Sequence, residues 1–304
     1  MKKRVLFISP LPPPHYGSAV SSKECLEILK KSKDFEVKNI KLNYSKDMDD
    51  VGKINISKIL GIRIVAKQIK EQIKEFNPDL IYFMPALARI GLYRDFYFIK
   101  IIKKLYSKRI LFHVRERIVD FDWENKTHRK MYRGMFSNQK AIVLGEAQKK
   151  DLHNLIPDED IIVLPNAIRN EASAREIKRI INKRKENSRL EVLFSSNMDK
   201  TKGWPKLLEA CKILGQKKIN FNCHFVGAWQ NKEDRKIFYE FVKKNNFKGK
   251  IFSHGRKTGE EWNNFFKRAD VFVFPTEYKP ETFGRVIIEA MMFALPVIAN
   301  GIAA

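Results

Sequence analysis

Residues 269–299 read ADVFVFPTEYKPETFGRVIIEAMMFALPVIA, and this stretch predicts a strand, a loop, a helix and a second strand. Val271–Phe274 is a short apolar run that ends at Pro275, a pattern typical of a strand buried on both faces of a parallel sheet. After a polar loop, Val286–Ala294 has the composition of a buried helix, and Pro296–Ala299 is again strand-like. The succession favours a parallel α/β fold.

Glu289 is the one polar side chain in the predicted helix, on the same side as Val286 and Phe293. An ionised carboxylate costs free energy to bury unless it has partners. The vicinal hydroxyls of a ribose would supply such partners, and helix amides around Gly284 would face a phosphate, with Glu281 beside it near a sugar. The residues alone leave an alternative open, in which Glu281 is a surface residue and Glu289 pairs with a lysine.

The spacing of the two glutamates resembles the E-x7-E signature of retaining glycosyltransferases of family 4. Residues 275–291 match the pattern P-x5-E-x-F-G-x4-E-A-M, and residues 296–299 match the family's P-V-I-A. Ala294 departs from the family, which usually has glycine there. The resemblance implies the α/β GT-B fold, in which two Rossmann-like domains with parallel sheets face a cleft.

The resemblance also implies roles for single residues. His113, near the end of the predicted strand Ile110–Val114, would contact the transferring sugar together with Glu281. The implied donor-binding residues are Gly17, Lys202, Gly255, Arg256, Phe283, Gly284, Arg285 and Glu289. Without the resemblance, a histidine at a strand end is more often structural, and a loop lysine is more often solvated.

Two upstream loops match the family in part. Val5–Ser9 is a predicted strand that leads into a proline-rich loop, where HYGS at residues 15–18 replaces the commoner double glycine. Lys202-Gly203 resembles the family's K-G, whose lysine reaches the donor diphosphate. An arginine usually precedes that lysine by six residues, and Ser196 stands there instead.

Residues 165–168, PNAI, resemble the P-N-G-I that closes the N-terminal domain in the family. We therefore expect an acceptor domain at residues 1–169 and a donor domain at residues 190–304. Residues 170–189 between them are rich in charge and lack aromatic residues, which predicts an exposed helical linker. Family members continue beyond the point that corresponds to Ala304, so the second domain is expected to be truncated.

Composition narrows the function classes. The chain has 304 residues, is 44% hydrophobic and carries a formal net charge of +24, which favours polyanions or anionic lipid as partners. It has no zinc-finger spacing, aromatic RNA-binding signature or basic arm, so nucleic acid is not expected. Its three cysteines show neither disulfide nor zinc spacing, which fits the cytoplasm. No apolar run is long enough to span a membrane.

The stretch Arg94–Arg109 is strongly amphipathic. The apolar face consists of Phe98, Ile101, Ile102 and Leu105. The basic face consists of Lys100, Lys103, Lys104 and Lys108. Phe96 and Tyr97 fall among the lysines, where they are expected to be exposed. The pattern suits a helix that packs on the sheet with a solvated basic side, or one that contacts an anionic membrane surface.

Asp120-Phe121-Asp122 has the D-x-D spacing that binds a divalent metal in the unrelated GT-A transferases, but its flanking residues differ from theirs. We expect no metal and no cofactor.

The sequence thus predicts a cytoplasmic enzyme, a retaining glycosyltransferase that moves a hexose from a UDP- or GDP-linked sugar to a cell-surface glycan or lipid-linked acceptor. Two alternatives remain. One is a non-catalytic remnant or a sugar- or lipid-binding module of the same fold, and the other is a GT-B nucleotide-sugar epimerase.

Overall fold

The structure is a computed structural model that describes residues 2–13, 17–42, 56–118, 123–168 and 172–301. The strands are β1 Lys3–Ser9, β2 Phe35–Lys41, β3 Leu80–Phe83, β4 Ile110–His113, β5 Lys140–Val143, β6 Ile161–Val163, β7 Leu190–Ser195, β8 Phe221–Val226, β9 Ile251–Ser253, β10 Val271–Phe274 and β11 Val297–Ala299. The α-helices are α1 Gly17–Lys31, α2 Ile56–Phe76, α3 Arg89–Leu105, α4 Lys126–Phe136, α5 Glu146–Leu152, α6 Ala174–Lys185, α7 Trp204–Gln216, α8 Lys232–Lys244, α9 Gly259–Arg268 and α10 Arg285–Met292.

The chain divides into two compact units. The first unit holds the described residues up to Asn166 together with Pro280–Phe283, and the second holds Ala167–Lys279 and the residues from Gly284 onward. Each unit has one parallel sheet with its own hydrophobic core. The two parallel α/β units agree with the fold that the sequence predicted.

The first sheet has the strand order β2-β1-β3-β4-β5-β6. Alternate residues of β1 are buried on opposite faces of this sheet: Leu6 and Ile8 join the core that includes α2 and α3, whereas Val5 and Phe7 pack with Leu26 of α1. Helices on both faces explain why β1 reads as a continuous apolar run rather than as an alternating one.

The second sheet has the order β11-β10-β7-β8-β9, and its core is aromatic, with Phe194, Trp204 and Phe225 fully buried. The predicted strand, loop, helix and strand of residues 269–299 form β10, α10 and β11. Helix α10 begins at Arg285, one residue earlier than predicted. It ends before Ala294, whose φ of +51° is the left-handed conformation that commonly terminates a helix. This conformation explains why glycine is usual there in the family that the sequence resembles.

Helix α6 covers most of the predicted linker, and its outward side is exposed as the charge predicted. Its other side is packed on the second unit, because Ile180 is buried in that unit's core and Ile177 lies against it. Arg184 donates hydrogen bonds of 2.8–2.9 Å to the carbonyl oxygens of Phe266, Phe293 and Ala294. The helix is therefore an integral part of the second unit rather than a free linker.

Candidate functional site

The order of strands locates a switch point in the second sheet. From β7 the chain continues outward through β8 and β9, and it then returns to the other side of β7 for β10 and β11. Parallel sheets bind ligands beyond the carboxyl ends of their strands, at the point where the strand order reverses. The loops after β7 and β10 carry Lys202 and the segment that leads into α10, so four of the eight predicted donor-binding residues, Lys202, Gly284, Arg285 and Glu289, follow these two strands.

The loops after β7 and β10 are in direct backbone contact. Gly203 has a φ of +90°, and a Cβ built on it would lie 2.1 Å from the carbonyl oxygen of Pro275, which follows β10. Glu277 donates its backbone N–H to the carbonyl oxygen of Thr201 across 2.7 Å. Only glycine permits this approach without displacing the backbone, so the glycine of the K-G pair fixes the position of the lysine before it.

Lys202 is half-buried, and its Nζ lies 3.9 Å from the centroid of the Tyr278 ring, a cation–π contact with the loop after β10. Lys206, one turn further on, is exposed and forms an ion pair of 2.6 Å with Glu277. The two lysines differ in exposure: Lys202 is held against the loop after β10, whereas the side chain of Lys206 lies in solvent.

The first turn of α10 follows Gly284, whose φ is +54° and which supplies no side-chain cap. The peptide N–H groups at the start of a helix attract anions when no side chain occupies them. Glycine is needed here because its backbone is left-handed and because an added Cβ would lie 3.1 Å from Cδ1 of Ile287.

Glu289 lies one turn into α10 and is 19% exposed. Arg285 donates from Nε to Oε1 of Glu289 across 2.9 Å. The alternative interpretation of the sequence had Glu289 paired with a lysine, and the structure pairs it with an arginine of the same helix. This charge-assisted contact holds a half-buried carboxylate beside the first turn of the helix.

Glu281 and Phe283 fall in Pro280–Phe283, the segment that belongs to the first unit. They therefore belong to a different unit from Gly284, Arg285 and Glu289. Both side chains are partly exposed.

Gly255 and Arg256 follow β9 at the carboxyl end of the same sheet as Lys202. Gly255 has a φ of +66° and accepts a hydrogen bond of 2.8 Å from the N–H of Gly227, whereas the Arg256 side chain is exposed. These two residues lie further along the sheet edge, beyond β8.

A polar cluster that the sequence reading missed lies across β7, β8 and β9. His224 contacts Glu191 through Nε2 and His254 through Nδ1, both at 2.9 Å. Burial, followed by the neighbouring His224, lowers the pKa of His254 to about 4, so the ring is neutral near pH 7. The three polar residues were visible in the sequence, two within strands and His254 directly after β9, but only the strand order shows that they meet.

In the first sheet the order reverses between β1 and β3. Gly17 lies at the start of α1, after the β1 loop, and an added Cβ there would meet no atom of the described residues within 4 Å. Packing against the described part of the chain therefore does not explain the glycine. His15 and Tyr16 of the same loop lie outside the described residues.

His113 is the last residue of β4 and is 4% exposed. Its Nδ1 is hydrogen-bonded to the hydroxyl of Tyr82, while its buried Nε2 has no partner among the described residues. Burial, reinforced by the charge of Arg115, lowers the pKa of His113 to about 3. A purely structural histidine would be expected to satisfy both ring nitrogens, so the open Nε2 favours a role in binding.

Helix α3 corresponds to the amphipathic stretch, and Phe98 and Ile102 are fully buried as predicted. The prediction that Phe96 lies exposed among the lysines is wrong, because Phe96 packs on the core and against Gly134 of α4. Lys103 is also engaged, since its Nζ donates to the carbonyl oxygen of Gly134 across 2.8 Å.

Lys108 lies 3.4 Å from Asp79, so a second of the four predicted lysines is paired. On the basic side of this helix Tyr97, Lys100 and Lys104 are exposed, and we call these three residues the α3 outer face. Leu105 was predicted to lie on the apolar face, but it is exposed at the end of the helix. No helix in the described ranges is long and apolar enough to cross a membrane.

Asp120, Phe121 and Asp122 lie outside the described residues. In the part of the chain that the structure does describe, no group of three or more histidine, cysteine, aspartate or glutamate residues is arranged to hold a metal ion.

Comparisons with known proteins bear on the fold. Two similar solved structures are HepE of Anabaena in complex with UDP (TM-score 0.64, 15% identity, 100% of this chain and 81% of that one) and WaaG, a glycosyltransferase involved in lipopolysaccharide biosynthesis (TM-score 0.63, 14% identity, 98% and 81%). These likenesses show the fold, which is that of GT-B glycosyltransferases with two Rossmann-like domains.

Residues 173–302 match the family described as glycosyl transferases group 1. A curated relative, an uncharacterized 41.2 kDa protein in the cps region of Klebsiella pneumoniae, is 25% identical over 254 residues, which cover 82% of this chain. The match spans 66% of the length of that relative.

Proposed function

We propose that this chain is a retaining glycosyltransferase of family 4 that transfers a hexose from a nucleotide sugar to a glycan or a lipid-linked acceptor. The observation that carries the proposal is the arrangement at the switch point of the second sheet. The loop after β7 carries a cationic side chain, that of Lys202. The loop after the neighbouring strand β10 leads into α10, which has no side-chain cap at its start and carries a carboxylate, that of Glu289, one turn further on.

The arrangement suits a nucleoside diphosphate as the leaving group. When the glycosidic bond to phosphate breaks, negative charge develops on the diphosphate, and Lys202 and the amides at the start of α10 would stabilise it. A metal ion serves that purpose in other transferases, so we expect transfer without a divalent cation. Glu289 would accept hydrogen bonds from the ribose hydroxyls, with Arg285 holding its carboxylate in position.

We infer that the donor carries uridine. The fold is shared with HepE, which was solved with UDP. Gly255 and Arg256, at the carboxyl end of β9, lie along the same sheet edge as the proposed phosphate site. They are the residues that we assign to the base, with most contacts coming from the backbone.

His113 and Glu281 are assigned to the transferring sugar. The open Nε2 of His113 supports this, because a buried and unpartnered polar atom at a strand end is suited to a ligand hydroxyl. Retention of the anomeric configuration requires attack from the face that the leaving group vacates, and the departing phosphate would accept the proton of the attacking hydroxyl.

We propose a cell-surface glycan precursor as the acceptor and a cytoplasmic enzyme that binds the membrane surface. The fold shared with WaaG, which acts in lipopolysaccharide biosynthesis, supports the acceptor class. The net charge of +24 and the α3 outer face support attraction to an anionic surface.

The test is a mass-spectrometric screen of the full chain against UDP- and GDP-linked hexoses, with and without EDTA. Transfer to an acceptor, or slow hydrolysis with retained configuration, is the expected result. Binding of UDP without turnover would instead indicate a non-catalytic module, and conversion of the sugar to its epimer would indicate an epimerase.

Lys202→Ala should weaken UDP binding about ten- to a hundredfold, because a charge-assisted contact contributes about 1.5–3 kcal/mol. Lys206→Ala is the matched control, since it removes the same charge from an exposed position on the next turn. Equal UDP affinities for the two variants would remove the assignment of Lys202.

A further inference from the structure

Tyr82 and His113 form a hydrogen-bonded pair at the carboxyl edge of the first sheet. Tyr82 lies in β3 and His113 ends β4, the neighbouring strand, and both side chains are 4% exposed. The hydroxyl of Tyr82 contacts Nδ1 of the imidazole. The rings meet edge to face, with their centroids 5.7 Å apart.

The Tyr82 ring is held in place from its other side. Phe7 of β1 pairs with Tyr82 in the sheet register, and the two rings are stacked with centroids 4.4 Å apart and planes 11° from parallel. Phe7 is fully buried. The hydroxyl therefore occupies a fixed position, because the ring that carries it is packed between neighbouring strands.

The direction of the hydrogen bonds follows from the donors available. Burial raises the pKa of the Cys25 thiol and raises that of Tyr82 well above its usual value, so both keep their protons near pH 7. The sulfur of Cys25 lies 3.9 Å from the Tyr82 oxygen, within reach of a weak S–H hydrogen bond. A phenol donates more effectively to an imidazole nitrogen than to a thiol sulfur. The chain therefore runs from Cys25 to Tyr82 to Nδ1 of His113.

A neutral imidazole whose Nδ1 accepts a hydrogen bond must carry its proton on Nε2. Nε2 of His113 is the atom that is buried without a partner among the described residues. Burial, reinforced by the charge of Arg115, lowers the pKa of the His113 ring, so His113 has one N–H rather than two. That N–H is a hydrogen-bond donor available to an acceptor atom of a bound ligand.

We propose that Tyr82 is a positioning residue that fixes His113 as the Nε2–H tautomer, so that His113 acts as a neutral hydrogen-bond donor to a hydroxyl of the transferring sugar. The assignment of a sugar to this atom rests on the proposed function. The tautomer itself does not, because it follows from the contacts of Tyr82 alone.

The tautomer can be measured without turnover. In protein labelled with 15N-histidine, the two ring nitrogens of His113, assigned with His113→Gln, should report a protonated Nε2 and an unprotonated Nδ1. Tyr82→Phe keeps the ring on Phe7 and removes only the hydroxyl, so it should abolish this pattern. A protonated Nδ1 in the unaltered protein, or an unchanged pattern in Tyr82→Phe, would overturn the proposal.

Tyr106→Phe is the matched control. Tyr106 is another buried tyrosine of the first unit, and its hydroxyl donates to the carbonyl oxygen of Asp79 at the opposite, amino edge of the sheet. This variant loses one buried hydroxyl hydrogen bond, as Tyr82→Phe does, but should leave the His113 ring nitrogens unchanged. The two variants should melt at similar temperatures.

Kinetics supply the second readout. Tyr82→Phe should lower kcat about ten- to a hundredfold, the cost found when groups that orient a functional histidine are removed from metal sites, with little change in the KM for the donor. Combined with His113→Gln, it should have no additional effect. An equal loss in both backgrounds would overturn the proposal. If no donor is turned over but the tautomer shifts as described, the proposed function fails and the positioning role stands.

Discussion

One methyl group at Gly203 should disrupt the proposed donor site. In Gly203→Ala the new Cβ would lie 2.1 Å from the carbonyl oxygen of Pro275 and 2.5 Å from its carbonyl carbon. Both atoms belong to the backbone at the end of β10, so a side-chain rotation cannot relieve the collision. Either β10 or the loop with Lys202 must move.

The expected cost has two parts. The left-handed backbone, with φ at +90°, costs an alanine about 1–2 kcal/mol, and overpacking costs about 1–3 kcal/mol more. We therefore expect Gly203→Ala to lower the free energy of unfolding of the second unit by about 2–5 kcal/mol. That is a large share of the 5–15 kcal/mol typical of a domain.

Two other glycines of the second unit separate these parts. Gly249 has a φ of +81° with nothing within 4 Å of an added Cβ, so Gly249→Ala carries the conformational cost alone. Gly227 does not have a left-handed backbone, but its Cβ would lie 1.7 Å from the carbonyl oxygen of Ser196, so Gly227→Ala carries the steric cost alone. Gly203→Ala should therefore lower the free energy of unfolding more than Gly249→Ala does, and the difference is the cost of the steric collision.

Urea unfolding followed by tryptophan fluorescence reports mainly on the second unit, which holds Trp204, Trp229 and Trp262, three of the four tryptophans of the chain. Calorimetry with UDP measures the site. Gly203→Ala should weaken UDP at least about tenfold, the loss of roughly one charged contact, whereas Gly249→Ala should not change it. If Gly203→Ala were as mild as Gly249→Ala in both assays, the contact between the two loops and the site built on it would be refuted.

Four further predictions follow from single features. Glu289→Gln should weaken UDP binding by about 1.5–3 kcal/mol in calorimetry, and Glu240→Gln, which breaks an exposed helical ion pair of the same spacing, should leave it unchanged. Ala294→Gly should raise the free energy of unfolding by about 0.5–1 kcal/mol, seen as a higher urea midpoint, because glycine adopts the left-handed conformation freely; a lower midpoint would show that the helix end differs. The pKa of an unfolded histidine is about 6.5 and that of folded His113 is about 3, so between these values the unfolded chain binds a proton that the folded chain does not. Stability is therefore lost as the pH falls through this window. The drop in urea midpoint from pH 7 to 4.5 should be smaller in His113→Gln, and an equal drop would contradict this. Cosedimentation with anionic vesicles should exceed that with neutral ones, weaken with salt, and fall when both lysines of the α3 outer face become glutamine; equal binding to both vesicle types would exclude a membrane role for this face.

The sequence predicted the strands well because both faces of each sheet are covered, which makes buried strands continuous apolar runs. It predicted the pairing of Glu289 poorly because the predicted helix began at Val286. One more residue brings Arg285 into the helix, four positions before Glu289, where the two side chains lie on one face. A boundary error of one residue thus concealed the partner of a site residue.

Other contacts depend on information that is not local. Tyr82 and His113 meet because β3 and β4 are neighbours, and Glu191, His224 and His254 meet because β7, β8 and β9 are neighbours. Strand order cannot be read from apolar periodicity alone. The predicted exposure of Phe96 was wrong for a related reason. An aromatic residue among lysines is expected to be exposed, but a second helix packs against Phe96, and the sequence pattern does not show that contact.

Helix α6 also determines where the second unit can be cut from the chain. Arg184 supplies hydrogen-bond donors to carbonyl oxygens at the ends of α9 and α10, and Ile180 fills part of the core beneath them. A fragment that starts at Leu190 would keep every strand of the second sheet and still leave two helix ends without their donor. The autonomous folding unit therefore begins near Ser173, the N-cap of α6, where the match to the glycosyltransferase domain also begins.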